Sequence, residues 1–205
     1  MTESIARYPL ERLRITILRA TFLLCLPLIL FTRSAWMEPE WLFEILEALG
    51  VFAVIAGVLG RFWAILYIGG RKNHQVMQDG PYSMCRHPLY FFSTLAVVGF
   101  GLMLGSLVLT VLLGGLTFLI LSQTAAREEA RLREMFSGAY EAYAARVPRI
   151  LPDPRLFRTD EEVVFSVSQL RRNFADALVF LAFIPLAELM EWLKHIQAVP
   201  SIALW

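Results

Sequence analysis

The sequence predicts an all-α, polytopic membrane protein with about five transmembrane helices, and three observations predict this class. Hydrophobic residues make up 57% of the 205 residues before its 12 glycines are added, whereas soluble domains reach only ~45–50% with glycine included. Charged residues are 18%, below the usual ~25%. Several apolar stretches reach the ~20 residues that cross a bilayer. We therefore expect residues 1–205 to form a single membrane domain.

The first two apolar stretches cover residues 15–31 and 41–68. No convincing small-residue cleavage site follows the first stretch, so we expect a retained helix rather than a signal peptide. The second would form about 42 Å of helix, which exceeds the ~30 Å hydrocarbon core. It must therefore tilt, break near Gly57 or Gly60, or project from the membrane.

The remaining spans lie in residues 89–121 and 173–193. The first of these stretches has 33 residues and no charge, which is too long for one span and favours a tight helical hairpin turning at Gly105 and Ser106. Residues 173–193 form a weaker candidate because acidic residues flank the apolar part, and we interpret them as the C-terminal membrane helix.

Basic residues predict the orientation, since lysine and arginine concentrate in cytoplasmic loops. Fifteen of them lie in the N-terminal tail, in residues 69–88 and in residues 127–172, whereas the other side carries only Arg33 and Lys194. The N-terminus is therefore expected in the cytoplasm and the C-terminus on the opposite side. Residues 159–172 end in two arginines and are predicted to form an interfacial segment.

Composition excludes several function classes. A net charge of +1 gives no reason to expect a nucleic-acid partner. Cys25 and Cys85 are sixty residues apart, which favours neither a disulfide framework nor a zinc site. The three histidines show no metal-binding spacing, so no metal site is expected.

Arg61 lies in an apolar run, where it either has a function or extends its charge to the interface.

The first polar cluster is Gly-Pro-Tyr-Ser-Met-Cys-Arg-His-Pro-Leu-Tyr at residues 80–90. Its Gly-Pro step predicts a turn, and Pro88 is suited to the first position of a helix. Arg86 and His87 would then lie at the N-terminus of a membrane helix, where free N–H groups and the helix dipole favour an anionic group of a ligand.

The second polar cluster begins with Arg127, Glu128 and Glu129. It belongs to a predicted helix over 122–146 that continues the fourth span into the cytoplasm, and its adjacent acids could bind a cation. Taken singly, an Arg-His pair in a loop reflects the orientation bias, and a charged run is usually a solvated helix face.

In this order, the two clusters resemble the isoprenylcysteine carboxyl methyltransferase and phospholipid methyltransferase superfamily. The family pattern has a Gly-x-Tyr turn, Arg-His-Pro-x-Tyr, a hairpin, Glu-Glu, Phe-Gly-x-x-Tyr-x-x-Tyr and Val-Pro. Over about 67–153 this chain reads GPY, RHPLY, EE, FSGAYEAY and VPRILP. The resemblance implies an integral-membrane enzyme that uses S-adenosylmethionine, with cofactor-binding segments 69–88 and 122–158 on the cytoplasmic face.

The resemblance also implies roles for individual residues. Catalytic roles fall to Glu128, Glu129 and His87. Glu128 would pair with the positive charge of the cofactor, and His87 or Glu129 could accept a proton from an amine substrate. Substrate contacts fall to Thr124 and Arg127. Cofactor contacts are expected at His74, Gln75, Val76, Met77, Gly80, Tyr82, Arg86, His87, Pro88, Leu89, Tyr90 and Glu128.

Three positions depart from the family pattern. Phe92 replaces a frequent Gly, and Ser137 followed by Gly138 replaces the Gly after the downstream Phe. Carboxyl methyltransferases tend to carry an Arg one helical turn before the first Glu, where this chain has Thr124. That last departure leaves room for a lipid amine as the methyl acceptor.

The expected function is methyl transfer to a lipophilic or lipidated substrate in contact with membrane lipids. Isoprenylcysteine-type carboxylate O-methylation is the first candidate, and phospholipid amine N-methylation is the alternative. An NADPH-dependent membrane reductase is a more distant alternative, since sterol reductases share a related arrangement of helices and polar loops. The last alternative is a non-catalytic membrane protein that keeps the motifs.

Overall fold

The fold is a bundle of long helices, seen in a computed structural model that describes residues 8–35, 40–68, 76–196 and 200–204. Two short strands pair in parallel, with Arg33 opposite Ala203. The elements are α1 Tyr8–Phe31, β1 Thr32–Ser34, α2 Glu40–Ile68, α3 Pro81–Met84, α4 Pro88–Met103, α5 Leu107–Ala144, α6 Val167–Leu181, α7 Phe183–His195 and β2 Ile202–Leu204. The described chain is mostly helical, as predicted, and the strand pair is an addition that the sequence analysis missed, because three-residue strands are too short to show a period in the sequence.

Helix α2 is continuous, so of the three alternatives for this stretch the break near Gly57 or Gly60 is excluded, and tilt or projection from the membrane is left. Its 29 residues give about 44 Å of helix. The two glycines instead allow α4 to pack closely: a Cβ on Gly57 would lie 2.7 Å from the carbonyl oxygen of Phe92, and a Cβ on Gly60 would overlap the Phe92 ring. Phe92 thus fills the space that Gly60 leaves.

The predicted hairpin between α4 and α5 is confirmed. Helix α4 ends at Met103, and α5 begins at Leu107. Gly105 has φ 61°, a conformation that glycine adopts without the Cβ clash of other residues. The Ser106 hydroxyl caps α5 by accepting a hydrogen bond from the Leu109 N–H at 3.2 Å, which satisfies one of the free donors of the first turn.

The helices connect two opposite ends of the molecule. At one end, Ser34 in β1 donates a hydrogen bond to the carbonyl oxygen of Gly105 at 2.7 Å, which joins the strand pair to the hairpin turn. The start of α4, near His87, lies at the other end. Helix α2, from Trp41, and α5 are long and apolar enough to cross a membrane, and the apolar helices Ile15–Phe31 and Pro88–Met103 are shorter. The described helices fit a polytopic membrane protein, while the five spans and their orientation stay predictions.

The C-terminal helix predicted over 173–193 is two helices instead. Helix α6 already begins at Val167, inside the segment 159–172 predicted to be interfacial, and the helix restarts after Ala182 as α7. Pro185 lies in the first turn of α7. Since proline has no N–H to bond the carbonyl four residues earlier, it interrupts a continuous helix at this point.

Helix α6 packs on the part of α2 that contains Arg61. The Arg61 side chain donates a hydrogen bond to the Ser93 hydroxyl of α4, and its guanidinium carbon lies 4.9 Å from the ring centre of Phe180 in α6. The rings of Phe62 and Phe174 are 5.2 Å apart. Arg61 therefore contacts both neighbouring helices, which favours a role within the protein over simple extension to the interface.

Helix α5 is kinked at Ser137, where φ is 37° and ψ is −124°. This positive φ costs an L-residue about 1–2 kcal/mol, and the superfamily pattern places Gly here. We expect Ser137→Gly to raise the free energy of unfolding by up to about 1 kcal/mol, because the relief of strain exceeds the added freedom of the unfolded chain. In Ser122→Gly, within the regular part of α5, stability should instead fall by about 0.5 kcal/mol. Equilibrium unfolding in mixed micelles measures both, and a loss of stability in Ser137→Gly would contradict this reading of the kink.

Candidate active site

Two segments far apart in sequence form the frame of the site. Residues 80–87, which we call the site turn, lie along residues 148–158, which we call the strap. Four backbone hydrogen bonds join them: Gly80 N–H to Arg158 O (2.8 Å), Asp153 N–H to Met84 O (3.0 Å), Arg86 N–H to Pro148 O (2.9 Å) and His87 N–H to Arg149 O (3.0 Å). The prolines after α5 thus return the chain to the start of α4.

Glu129 of α5 is the centre of the site, with a side chain that is 0% exposed. Its carboxylate accepts two hydrogen bonds from Arg149 of the strap, at 3.2 and 3.0 Å. His87 Nε2 lies 3.3 Å away and Arg86 Nη2 lies 3.4 Å away, both from the site turn. Arg133, one turn further along α5, approaches to 3.7 Å. One carboxylate therefore connects α5, the site turn and the strap.

The surrounding cations keep Glu129 ionised. It lies beyond the apolar residues 107–121 of α5. Burial alone would raise the pKa of its carboxyl, but hydrogen bonds with His87 and Arg149 and the charge of Arg86 together lower this pKa to about 2. At neutral pH the group is therefore a carboxylate that can only accept hydrogen bonds.

This lowered pKa predicts a loss of stability in acid. The unfolded-state pKa of Glu is ~4.3, above the folded-state pKa of about 2. The stabilisation is thus complete above about pH 5 and is lost progressively as the pH falls toward about 2. We expect the unfolding free energy of the native protein to fall more steeply between about pH 5 and 2 than that of Glu129→Gln. Denaturant titrations at each pH measure both slopes, and equal slopes would contradict the assignment.

His87 and Tyr90 form a stacked pair at the start of α4. Their ring centres are 5.3 Å apart and their planes differ by 3°. His87 is the residue before the first turn of α4, and Pro88 begins the helix as predicted. The His87 side chain is 8% exposed, and its Nδ1 lies 3.8 Å from Oε2 of Glu128, whose side chain is 31% exposed. Glu128 is therefore the accessible carboxylate of the site and Glu129 the buried one.

Tyr82 contributes a buried hydroxyl. The residue is 4% exposed, and its hydroxyl has no hydrogen-bond partner among the residues that the structure describes. Burial raises the pKa of this hydroxyl well above its usual value, with further contributions from nearby groups that include Glu128 and Tyr90. The Tyr143 hydroxyl donates to the Tyr82 carbonyl oxygen at 2.7 Å and so fixes its backbone. The Tyr82 hydroxyl stays protonated and is able to donate a hydrogen bond to a ligand.

Cys85 lies in the same turn, but it is not an activated nucleophile. Burial raises the pKa of its thiol, and a backbone hydrogen bond with His87 lowers it, with a net value of about 12. The reactive thiolate is therefore rare at neutral pH.

The structure brings most of the sequence-predicted residues together, in different roles. Val76 packs beside Tyr140 and Tyr143, while Met77 is buried beside Tyr67 and Tyr82. Leu89 and Pro88 follow His87 directly at the start of α4. The predicted cofactor contacts His74 and Gln75 lie outside the described residues.

The two predicted substrate contacts are less well placed. The Thr124 hydroxyl donates to the carbonyl oxygen of Ile120 at 2.8 Å, so it bonds its own helix. The Arg127 side chain is exposed on α5. Substrate binding by either residue stays a prediction.

Arg149 is the main residue that the sequence analysis missed. It follows the Val-Pro step of the family pattern directly, and that position was the available signal. Arg133 was missed as well, although it lies four residues after Glu129 on the same helix, a spacing at which side chains meet. Both arginines contact Glu129, and they help to shield its carboxylate from solvent, whereas the carboxylate of Glu128 is partly exposed.

Comparison with known proteins identifies the family. The family described as phospholipid methyltransferase matches residues 43–139, a range that includes the site turn and both glutamates. A Schizosaccharomyces pombe protein-S-isoprenylcysteine O-methyltransferase is 35% identical over 81 residues, which are 40% of this chain and 34% of that protein. No solved structure shows significant similarity.

Two bacterial relatives match most of the chain. The nickel-cobalt-cadmium resistance protein NccN of Alcaligenes xylosoxydans xylosoxydans is 33% identical over 195 residues, which cover 95% of this chain and 91% of the relative. The cobalt-zinc-cadmium resistance protein CzcN of Cupriavidus metallidurans is 37% identical over 172 residues, covering 84% and 79%. With the site turn, the paired glutamates and the strap in place, the chain belongs to the isoprenylcysteine carboxyl and phospholipid methyltransferase superfamily of membrane methyltransferases, and it belongs to one family with NccN and CzcN.

Proposed function

We propose that this chain transfers a methyl group from S-adenosylmethionine to a lipophilic acceptor beside His87 and Glu128. The observation that carries the proposal is the buried Tyr82 hydroxyl, which has no protein partner within the described residues and lies near enough to the accessible carboxylate of Glu128 for that charge to raise its pKa. A cationic ligand with polar groups fits both. The cofactor would supply an electrophilic methyl group on a sulfonium.

The residues present have distinct parts in holding such a ligand. Glu128 would pair with its positive charge, which a carboxylate that is only 31% exposed does better than a fully solvated one. The Tyr82 hydroxyl would donate a hydrogen bond to it. The flat surface of the His87–Tyr90 pair would pack against its adenosyl part. Methyl transfer is an in-line displacement, so positioning of the reactants supplies most of the rate increase.

Calorimetric titration of the detergent-purified protein with S-adenosylmethionine tests the cofactor. We expect binding in the native protein and at least a tenfold loss in Glu128→Ala. Tyr82→Phe should weaken binding less, because one hydrogen bond is worth about 0.5–1.5 kcal/mol. The control is Glu134→Ala, which removes an exposed carboxylate of the same helix and should bind as the native protein does.

Two results would contradict the proposal. Binding of NADPH in place of S-adenosylmethionine would favour the membrane reductase. Binding of neither, repeated in lipid nanodiscs, would favour a non-catalytic membrane protein.

For the methyl acceptor, we propose a lipid amine over an isoprenylcysteine-type carboxylate. A carboxylate is bound best by a cation whose charge is not already balanced, whereas Arg86 and Arg149 are both paired with the carboxylate of Glu129. Thr124 stands where carboxyl methyltransferases carry an arginine, and it bonds its own helix. The accessible charge beside His87 is the negative charge of Glu128, which attracts an ammonium group.

The names of the two bacterial relatives suggest a context for the proposed activity. Both are called metal resistance proteins, and we propose that methylation by this chain supports growth in nickel, cobalt or cadmium. Cells that depend on this chain should tolerate these ions less well when it carries Glu128→Ala. With Glu134→Ala, they should tolerate the ions as well as cells with the native protein do. Equal tolerance of both variants and the native protein would contradict this role while leaving methyl transfer intact.

A further inference from the structure

We propose that Glu129 is a positioning residue that fixes the hydrogen of His87 on Nε2, so that Nδ1 is the base that deprotonates an ammonium acceptor. This inference rests on the proposed function and assigns the substrate a protonated amine. It separates two glutamates that the sequence treats alike: Glu128 contacts ligands, and Glu129 contacts only protein groups.

The first step concerns the hydrogen on Nε2. The Glu129 carboxylate receives hydrogen bonds from Arg149, and Arg86 and Arg133 lie within 3.4 and 3.7 Å of it. With three guanidinium groups around it, this carboxylate is ionised and carries no proton to donate. His87 Nε2, at 3.3 Å from Oε1, must therefore be the donor. In a neutral imidazole this leaves the lone pair on Nδ1.

The second step concerns what Nδ1 faces. Its distance of 3.8 Å from Glu128 Oε2 is too long for a hydrogen bond. An ammonium group beside this gap is able to donate one hydrogen to Nδ1 and another to Glu128. The stacked ring of Tyr90 holds the imidazole plane, so the lone pair keeps its direction.

The charged groups around His87 support this use. Glu128 and Glu129 face it from α5, and the ring of Tyr90 stacks on it. Arg149 of the strap and Arg86 contact the Glu129 carboxylate that His87 also contacts. A proton taken by His87 Nδ1 would lie on a ring between the carboxylates of Glu128 and Glu129. Glu128 also reduces the repulsion between an approaching ammonium and a sulfonium.

The chemistry balances as follows. Nδ1 takes one proton from the ammonium, and the freed nitrogen lone pair forms a bond to the methyl carbon. The bond between that carbon and sulfur breaks, and its electron pair stays on sulfur, which becomes a neutral thioether. The acceptor becomes a methylated ammonium ion, and the one proton released passes from His87 to water past Glu128, whose side chain reaches solvent.

Nitrogen-15 NMR of the histidines in nanodiscs tests the tautomer without any methyl transfer. The chain has three histidines, so His74→Asn and His195→Asn leave His87 as the single signal. We expect the neutral ring of His87 to carry its hydrogen on Nε2. A hydrogen on Nδ1, or the averaged mixture of free imidazole, would overturn the inference, whatever the enzyme methylates.

The pH dependence of methyl transfer tests the base. We expect kcat/KM for an amine headgroup to rise about tenfold per pH unit in acid and then to level off. His87→Gln should lower kcat, measured at saturating S-adenosylmethionine, by about 10²-fold or more and remove this dependence. Unchanged kcat and pH profile in His87→Gln would overturn the inference but leave the methyltransferase in place, whereas no transfer by the native protein would overturn the proposed function.

Discussion

Glu129→Gln is expected to lower the free energy of unfolding by about 3 kcal/mol. Removal of one partner from a buried ion pair costs roughly 3–5 kcal/mol because the remaining charge stays buried without compensation. Arg86 and His87 are the buried partners here, with side chains 11% and 8% exposed. Arg133 and Arg149 are about 40% exposed and can turn toward water, which places the effect at the lower end of that range.

Glu128→Gln is the matched control for this prediction, because it makes the same change one residue earlier. The side chain of Glu128 is partly exposed, and its ion-pair partner is His87 at 3.8 Å. We expect its unfolding free energy to stay within about 0.5 kcal/mol of the native value, although cofactor binding is lost. Equilibrium unfolding in mixed micelles measures both variants. Equal destabilisation by the two substitutions would show that the buried and accessible roles are assigned wrongly.

Gly80→Ala is expected to cost about 3 kcal/mol and to abolish cofactor binding. Gly80 has φ 59° and ψ −130°, a region essentially restricted to glycine. An added Cβ would also overlap the ring of Tyr67, whose hydroxyl hydrogen-bonds that of Thr159 at 2.8 Å. Tyr67 is fixed by its position in α2 and by the hydrogen bond to Thr159. The site turn must therefore shift instead, and Tyr82 would shift with it.

Gly115→Ala serves as the control for the glycine substitution. It lies in α5, and a Cβ there meets no atom within 4 Å. Alanine favours a helix over glycine by about 1 kcal/mol, so this variant should be as stable as the native protein or more so, with unchanged binding. Thermal unfolding together with the calorimetric titration measures both properties. A stable, binding-competent Gly80→Ala would refute the backbone requirement at the site turn.

The local elements of the fold were predictable where the sequence carries a strong local signal. The uncharged run around Gly105 is too long for one span, and Pro88 is suited only to the start of a helix, so both boundaries are confirmed. The break at Ala182 was missed, because Pro185 lies in an apolar run that reads as one span. The contact between β1 and β2 joins residues about 170 positions apart, and no local pattern reports such a contact.

The sequence names most of the residues that meet around Glu129, but not which of them are buried and which are accessible. The sequence places Glu128 and Glu129 next to each other, and only the direction of each side chain separates the buried residue from the accessible one. Arg149 is one of the groups that contact Glu129. It reaches Glu129 only because the strap folds back along the site turn, and that long-range pairing is absent from the spacing of the motifs.

One measurement tests methyl transfer to a lipid amine most directly. The purified protein would be incubated in native membrane lipids with S-adenosylmethionine carrying a labelled methyl group, and the extracted lipids would then be treated with mild base. We predict labelled lipid whose label survives base as an N-methyl group, and no label with Glu128→Ala. Label released by base as methanol would identify a methyl ester and a carboxylate acceptor. No labelled lipid from a protein that binds the cofactor would contradict the account.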